Sequence, residues 1–244
     1  MTARYAIYYV PPRGSALADK AAAWLGRDAF AGRALARPAL PGLEGLDLDA
    51  LTADPRGYGF HATLKAPFEL ADGATESALL AFGETFAAGR APFTAAIAPA
   101  SLGRFLAFRL EAACAEMDAL HGACVREFDR FRAPLSDFDL ARRRKAPLSP
   151  EQDERLLAWG YPYVFEDFRF HMTLTGAIRE PELAERVLAA LREHFADVSG
   201  PHAFDGVAVF KQDERNAPFH VLERFDFSAQ GAEVAGERPA AVDS

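Results

Sequence analysis

Cysteine is scarce: the 244 residues hold two, Cys114 and Cys124. They fall in one helical pattern and, at about 100° per residue, point to different faces. A disulfide inside that helix is not expected, and two free thiols in a reducing compartment is the simpler reading. Long apolar runs are missing, and none approaches the roughly 20 residues that span a bilayer. The opening segment MTARYAIYYVPPRG lacks the apolar core of a signal peptide, so a cytoplasmic location is expected. Positive charge is in deficit, with 27 Lys and Arg against 35 Asp and Glu, a formal charge of -8. That argues against a general binder of long nucleic acid, which needs a broad basic surface. It leaves room for a small anion in a local basic pocket.

What is present is ordinary for a globular chain, half hydrophobic and a quarter charged, with 20 Phe to furnish an aromatic core. Arg4 to Val10 reads as a strand stopped by Pro11-Pro12, and Ser15 to Leu25 as a helix with Ser15 at its N-cap. Residues 27–57, rich in Pro and Gly, look largely irregular. Phe60 to Phe68 is a strand, Thr75 to Ala88 a helix, and Phe93 to Ala98 and Phe105 to Leu110 a hairpin. Ala113 to Phe131 is a long helix, and the charged stretch Asp137 to Lys145 between prolines is expected to be a mobile loop. Pro150 to Trp159 and Pro181 to Phe195 are helices, and Phe168 to Thr175, Phe204 to Lys211 and Phe219 to Phe227 are strands. The tail, 231–244, has the composition of a disordered segment.

An internal repeat runs through this order. A His-containing strand, a helix and two strands follow one another twice, and GFHATLKAPF matches RFHMTLTGAI at a separation of 110 residues (171 − 61). The reading is one domain, 1–230, of two lobes: about 1–112 and about 113–230.

Side chains alternate along a strand. His61, Thr63 and Lys65 share one face, as do Arg169, His171, Thr173 and Thr175, while the opposite faces are apolar. A lone His on a strand is more often a hydrogen-bonded structural residue, and a lone Thr is simply a good β-former. Two His-x-Thr-Leu segments at matched positions shift the balance to chemistry. Imidazole, with a pKa of about 6.5, can give or take a proton near neutrality. One beside the attacking oxygen and one beside the leaving oxygen suffice for in-line displacement at phosphorus. Thr hydroxyls can hold the non-bridging oxygens.

The pair His61-Ala62-Thr63-Leu64 and His171-Met172-Thr173-Leu174 resembles the signature of the two-histidine (2H) phosphoesterase superfamily. With the flanks RYAIYYVPP, YGFHATLKAPF and WGYPYVFEDFRFHMTLTG, the chain is similar to the branch of phosphonate-metabolism-associated proteins of unknown function, over residues 4–227. The resemblance implies an α+β, bilobal pseudo-two-fold fold: two antiparallel sheets forming a central cleft, with helices packed outside. It implies a hydrolase opening a cyclic phosphate or cleaving a small phosphodiester, with His61 and His171 as the catalytic pair and Thr63 and Thr173 as phosphate clamps. Segments 27–57 and 132–165 depart from many relatives and could cap the cleft.

Further substrate contacts are expected from Lys65 and Arg169 by parity, from Tyr8 or Tyr9, of which parity allows one, and from Arg143 in the cluster Arg142–Lys145. Each has a bland alternative, a solvated charge or a packed ring; Tyr58 and Tyr163 read as packing. His121 and His194 sit in helical patterns near a surface and receive no role, and His202 and His220 lack the motif. No third ligand stands at a metal spacing beside the two histidines, so neither metal nor cofactor is expected. The expected partner is a small phosphorylated substrate, a nucleotide or sugar cyclic phosphate. The competing readings are a non-catalytic module that binds a phosphorylated metabolite or nucleotide, and an RNA-end-processing 2′,3′-cyclic phosphodiesterase.

Overall fold

The computed structural model describes residues 3–228; the tail 231–244 lies outside the described residues. Strand β1 (Arg4–Tyr9) is followed by helix α1 (Ala16–Leu25), a small hairpin of β2 (Arg27–Asp28) and β3 (Arg33–Ala34), and short helices α2 (Leu48–Leu51) and α3 (Ala53–Tyr58). Next come β4 (Ala62–Phe68), α4 (Glu76–Ala88), β5 (Phe93–Leu102), β6 (Phe105–Leu110) and α5 (Ala115–Glu127). The chain continues through α6 (Asp137–Arg143), α7 (Pro150–Trp159), β7 (Met172–Thr173), α8 (Pro181–His194), β8 (Gly200–Phe204), β9 (Gly206–Gln212) and β10 (His220–Asp226).

Local chemistry accounts for many boundaries. Ser15 accepts from the Ala18 amide at 3.3 Å to cap α1, and Gly26 closes that helix in the left-handed region. Ser149 and Gln152 form a reciprocal capping box at α7, with Pro150 in the first turn. Residues 27–57 carry the β2–β3 hairpin and two short helices, more structure than their Pro and Gly content suggested. The expected loop at 137–145 is largely helical. Ser136 caps α6 by accepting from the Asp139 amide at 3.2 Å, and the cap outweighs the flanking prolines. Both cysteines are buried free thiols.

Eight strands form one antiparallel sheet in the order β10-β9-β1-β4-β7-β6-β5-β8. The two expected sheets are its halves, joined where Ala62 of β4 pairs with Met172 of β7. The sequence repeats interleave in space: β5 and β6 lie with β7 and β8, while β9 and β10 lie with β1 and β4. One face packs on helices through Ile7, Tyr9, Leu64, Phe108, Met172, Leu174 and Val209 against Leu17, Trp24, Met117 and Leu191. Trp24 also donates its indole N–H to the Leu174 carbonyl at 2.8 Å, tying α1 to β7. The other face carries a smaller apolar cluster, Ala6, Tyr8, Ala208, Phe210 and Phe219, beside the polar residues of β4 and β7.

The second histidine strand is shorter than its Phe168–Thr175 pattern implies. The amides of Leu174 and Thr175 both turn to the Leu106 carbonyl, and Thr175 Oγ1 accepts the Leu106 amide, so side-chain bonding ends the ladder. On β4 the pairing slips. Tyr8 opposes Thr63 but Ile7 opposes Lys65, so one extra residue is inserted and the alternation reverses. Lys65 is thereby only 3% exposed, bonded to the Val125 carbonyl at 2.9 Å and to Asp129 at 2.8 Å. The expectation that it contacts ligand is corrected by this bulge.

Removing one partner of a buried pair typically costs about 3–5 kcal/mol. Asp129 keeps Arg132, so Lys65→Ala is expected near the low end, about 3 kcal/mol by urea unfolding. A loss below 1 kcal/mol, about the value of an exposed pair, would refute the structural role.

Candidate active site

One step either side of the Ala62–Met172 pair, antiparallel register sets His61 opposite Thr173 and Thr63 opposite His171. The four side chains mark the corners of a rectangle with the histidines on one diagonal. Diagonal neighbours on a sheet lie roughly 7–8 Å apart, room for one phosphoryl group. All four line one cavity of about 320 Å³.

Main-chain carbonyls fix both rings. His61 Nδ1 donates to Gly59 O at 2.9 Å, and His171 Nδ1 donates to Arg169 O at 2.6 Å. A carbonyl only accepts, so each neutral ring carries its proton on Nδ1 and holds an Nε2 lone pair. Thr63 Oγ1 lies 3.3 Å from His61 Nε2 and can donate to it. Gly59 reaches its position with φ 77°, and a Cβ there would meet Ala29 Cβ at 2.5 Å. Burial pushes His61 down to about 4, opposed by the Gly59 carbonyl and reinforced by His171. His171 is also lowered, first by burial and then by Arg109, with the Arg169 carbonyl opposing. The register of β6 on β7 places Arg109 opposite His171.

Tyr8 resolves the parity question left open by the sequence. It is on the cavity side, its ring stacked on His61 at 3.8 Å, while Tyr9 faces the core and bonds His202. Burial raises the Tyr8 phenol well above its ordinary range. Beyond the histidines the cavity is walled by Arg4, Arg142, Arg143 and Tyr161. Arg143 lies over the Tyr161 ring at 4.7 Å and, among the described residues, forms no ion pair. Arg4 is held by Gln212 Oε1, and Arg142 by Asp139 at 3.2 Å. Burial lowers both Arg143 and Arg4, so an anion entering here meets poorly hydrated cations. A second hollow of about 290 Å³ continues past His61, Tyr58 and Thr173 to Pro55, Phe105 and Ala177.

Of the residues expected from sequence, His61, His171, Thr63, Thr173, Tyr8 and Arg143 come together. Lys65 does not. Arg169 also turns away, its guanidinium bonding the carbonyls of Glu166 and Phe168 at 2.8 Å each, and it serves the site through its own carbonyl. Arg4, Tyr58 and Tyr161 were missed as site residues. Arg4 was accessible, since it shares strand parity with Tyr8; Tyr161 follows the left-handed Gly160 that ends α7, and no short-range pattern points it inward. Among the described residues no group of three or more His, Cys, Asp and Glu is placed to hold a metal ion.

An alanine forced to positive φ costs about 1–3 kcal/mol, and the Ala29 contact adds to it. Gly59→Ala is therefore expected to lower the unfolding free energy by about 2–3 kcal/mol in urea titration. A neutral or stabilising effect would show that the carbonyl aimed at His61 needs no glycine.

Residues 63–220 match a family described as protein of unknown function, DUF1045. The chain is 39% identical over 233 residues to ribose 1,5-bisphosphate phosphokinase PhnN of Janthinobacterium sp. (strain Marseille), covering 93% of this chain and 51% of that protein. It is 38% identical over 218 residues to the protein of the same name from Laribacter hongkongensis (strain HLHK9), covering 89% and 50%. The chain thus spans about half the length of the curated relatives it matches. Among solved structures it is similar to E. coli LigT complexed with NADP+, at TM-score 0.43 and 13% identity, covering 93% of this chain and 99% of that one. LigT complexed with 3′-AMP gives TM-score 0.44 and 12% identity over 94% and 100% of the two chains. The match to the family covers well over half of the sequence, including Thr63 and the whole second His-x-Thr motif, and the chain belongs to the DUF1045 family.

Proposed function

We propose that this chain is a two-histidine phosphoesterase that hydrolyses a cyclic phosphate or small phosphodiester with no metal ion in the chemical step. The observation that carries the reading is one cavity holding two imidazoles, each with Nε2 unclaimed by the main chain, and two Thr hydroxyls between them. His61 is the more strongly depressed of the pair and suits the base; His171, less depressed, takes up a proton first and suits the acid. An anionic phosphate raises both, because it favours the imidazolium.

In the hydrolytic direction, His61 Nε2 takes a proton from water as the water oxygen bonds to phosphorus. The opposite P–O bond breaks, and the departing oxygen receives the proton from His171 Nε2. Thr63 and Thr173 hydroxyls hold the non-bridging oxygens as their charge grows. A ring-opened substrate leaves as a phosphomonoester with one freed hydroxyl. The net reaction adds one water across one P–O bond, and a proton relay through solvent resets the pair.

The substrate is read as small. The arginines crowd one cavity in a chain of charge -8 and do not track along a surface. The relatives named for ribose 1,5-bisphosphate suggest a phosphorylated ribose, with phosphonate metabolism as its setting. Arg4, Arg142 and Arg143 then meet a phosphate other than the reacting one.

Removing either positioned acid or base typically costs about 10²–10⁴-fold. His61→Ala and His171→Ala are each expected to lose turnover of a nucleoside 2′,3′-cyclic phosphate, whose alkoxide leaving group needs the acid, by that factor while keeping their circular dichroism. Chelator should leave the wild type unaffected. Robust activity in either variant, or chelator loss restored by a divalent metal, overturns the mechanism. The free-enzyme profile follows from the signs: the base must be neutral, giving loss below about 4, and the acid protonated, giving loss on rising toward 6.5. The maximum in kcat/KM is therefore expected on the acid side of 6.5, and a maximum above 8 would contradict the assignment. Arg143→Met should raise KM for a bisphosphorylated substrate at least about tenfold, as loss of one charged hydrogen-bonding group does, with kcat less changed. An unchanged KM would remove Arg143 from the site.

A further inference from the structure

We infer that His121, remote from the cavity, is a positioning residue that sets the orientation of His171. This rests on the phosphoesterase reading for its consequence but not for its geometry. The sequence placed His121 near a surface; it is instead 3% exposed, on the inner side of α5. Its Nε2 accepts the main-chain N–H of Phe165 at 3.1 Å. The neutral ring then carries its proton on Nδ1, which is buried and faces the Leu64 carbonyl.

The amide it holds belongs to a strained residue. Phe165 has φ 57°, one of two non-glycine residues in the left-handed region among those described. Such a conformation persists where the surroundings impose it. The imidazole holds it by that hydrogen bond, and at the far end of the turn it stacks flat on Phe168 at 3.8 Å with 5° between planes. From the outer side, Arg155 pairs with Glu166 at 2.9 Å and with Asp167 at 2.5 Å. The Arg126 guanidinium lies over the Phe165 ring at 4.6 Å. The turn Phe165–Asp167 delivers the chain to Arg169, whose carbonyl bonds His171 Nδ1 at 2.6 Å. Thus the ring that presents Nε2 to the cavity is aimed by a carbonyl four residues past the one His121 restrains. Burial pushes His121 down to about 4, opposed by the Leu64 carbonyl and reinforced by Arg126 and Lys65, which keeps the ring an acceptor through the range where His171 works.

The test separates the acceptor from the ring. His121→Phe keeps an aromatic plane over Phe168 and removes the acceptor; His121→Gln keeps an acceptor and removes the plane. Nitrogen-15 NMR of the His171 ring in the full chain reads tautomer and pKa directly, with no substrate needed. Expected for His121→Phe is loss of the dominant Nδ1–H form of His171 and a shifted His171 titration, with Gln restoring both. In turnover of a nucleoside 2′,3′-cyclic phosphate, the Phe variant should lose about tenfold in kcat with KM within about twofold, as misaimed catalytic groups do. An unchanged His171 tautomer in a folded Phe variant overturns the proposal, whatever happens to melting temperature. If that variant does not fold, the Gln variant decides: a wild-type His171 spectrum supports the acceptor role, and a displaced one overturns it. Absence of turnover in the wild type would fault the functional reading, while the NMR arm still decides the positioning role.

Discussion

The pairing of Ala62 with Met172 is the constraint on which the site depends. It joins two four-stranded halves into one sheet, and it sets the register that puts each histidine across from the other strand's threonine. A slip of one residue would turn both His-x-Thr faces into the aromatic core and both apolar faces to solvent. The core on the far side, with Leu64, Met172 and Leu174 fully buried, penalises that slip through every displaced side chain. Packing energy on one face thereby holds the geometry of the His and Thr cluster on the other.

The polar face is tuned by main chain and by desolvation. Carbonyls of Gly59 and Arg169 choose the ring tautomers, and burial lowers the basicity of both imidazoles. Each ring is thus held in one orientation with its basicity lowered, and the arginines of an otherwise acidic protein are gathered locally beside the pair. Arg4 comes from β1 and Arg142 and Arg143 from α6, whose Asp139 is in turn clamped by Arg215 from the β9–β10 connection. The helix is anchored at both its cap and its charged face, where the sequence suggested a mobile segment.

Much of the cavity's lining was legible from spacing. The repeated His-x-Thr pattern named four cavity residues because strand periodicity is a local property of the chain. Parity narrowed the first strand to Tyr8 or Tyr9, and Arg143 was marked by the density of basic residues at 142–145. Lys65 and Arg169 failed for the same kind of reason: parity holds only while the ladder is regular. A bulge reverses it on β4, and Arg169 lies ahead of β7, outside the ladder, with its guanidinium turned back to the Glu166 and Phe168 carbonyls. His121 was misplaced because helical periodicity reports which face is apolar, and a histidine on that face can be buried only if a distant amide meets it.

Element types, most of their boundaries, the duplication and the identities of the paired histidines and threonines were written in the chain, since caps, turns and alternation act over a few residues. Interleaving of the repeats, the choice of Tyr8 over Tyr9, the recruitment of Arg4 and Tyr161, and the removal of Lys65 into an ion pair with Asp129 arose from long-range packing. These depend on contacts between residues tens to hundreds of positions apart, where the cost of closing each loop is met by the sheet as a whole and no local pattern records the outcome.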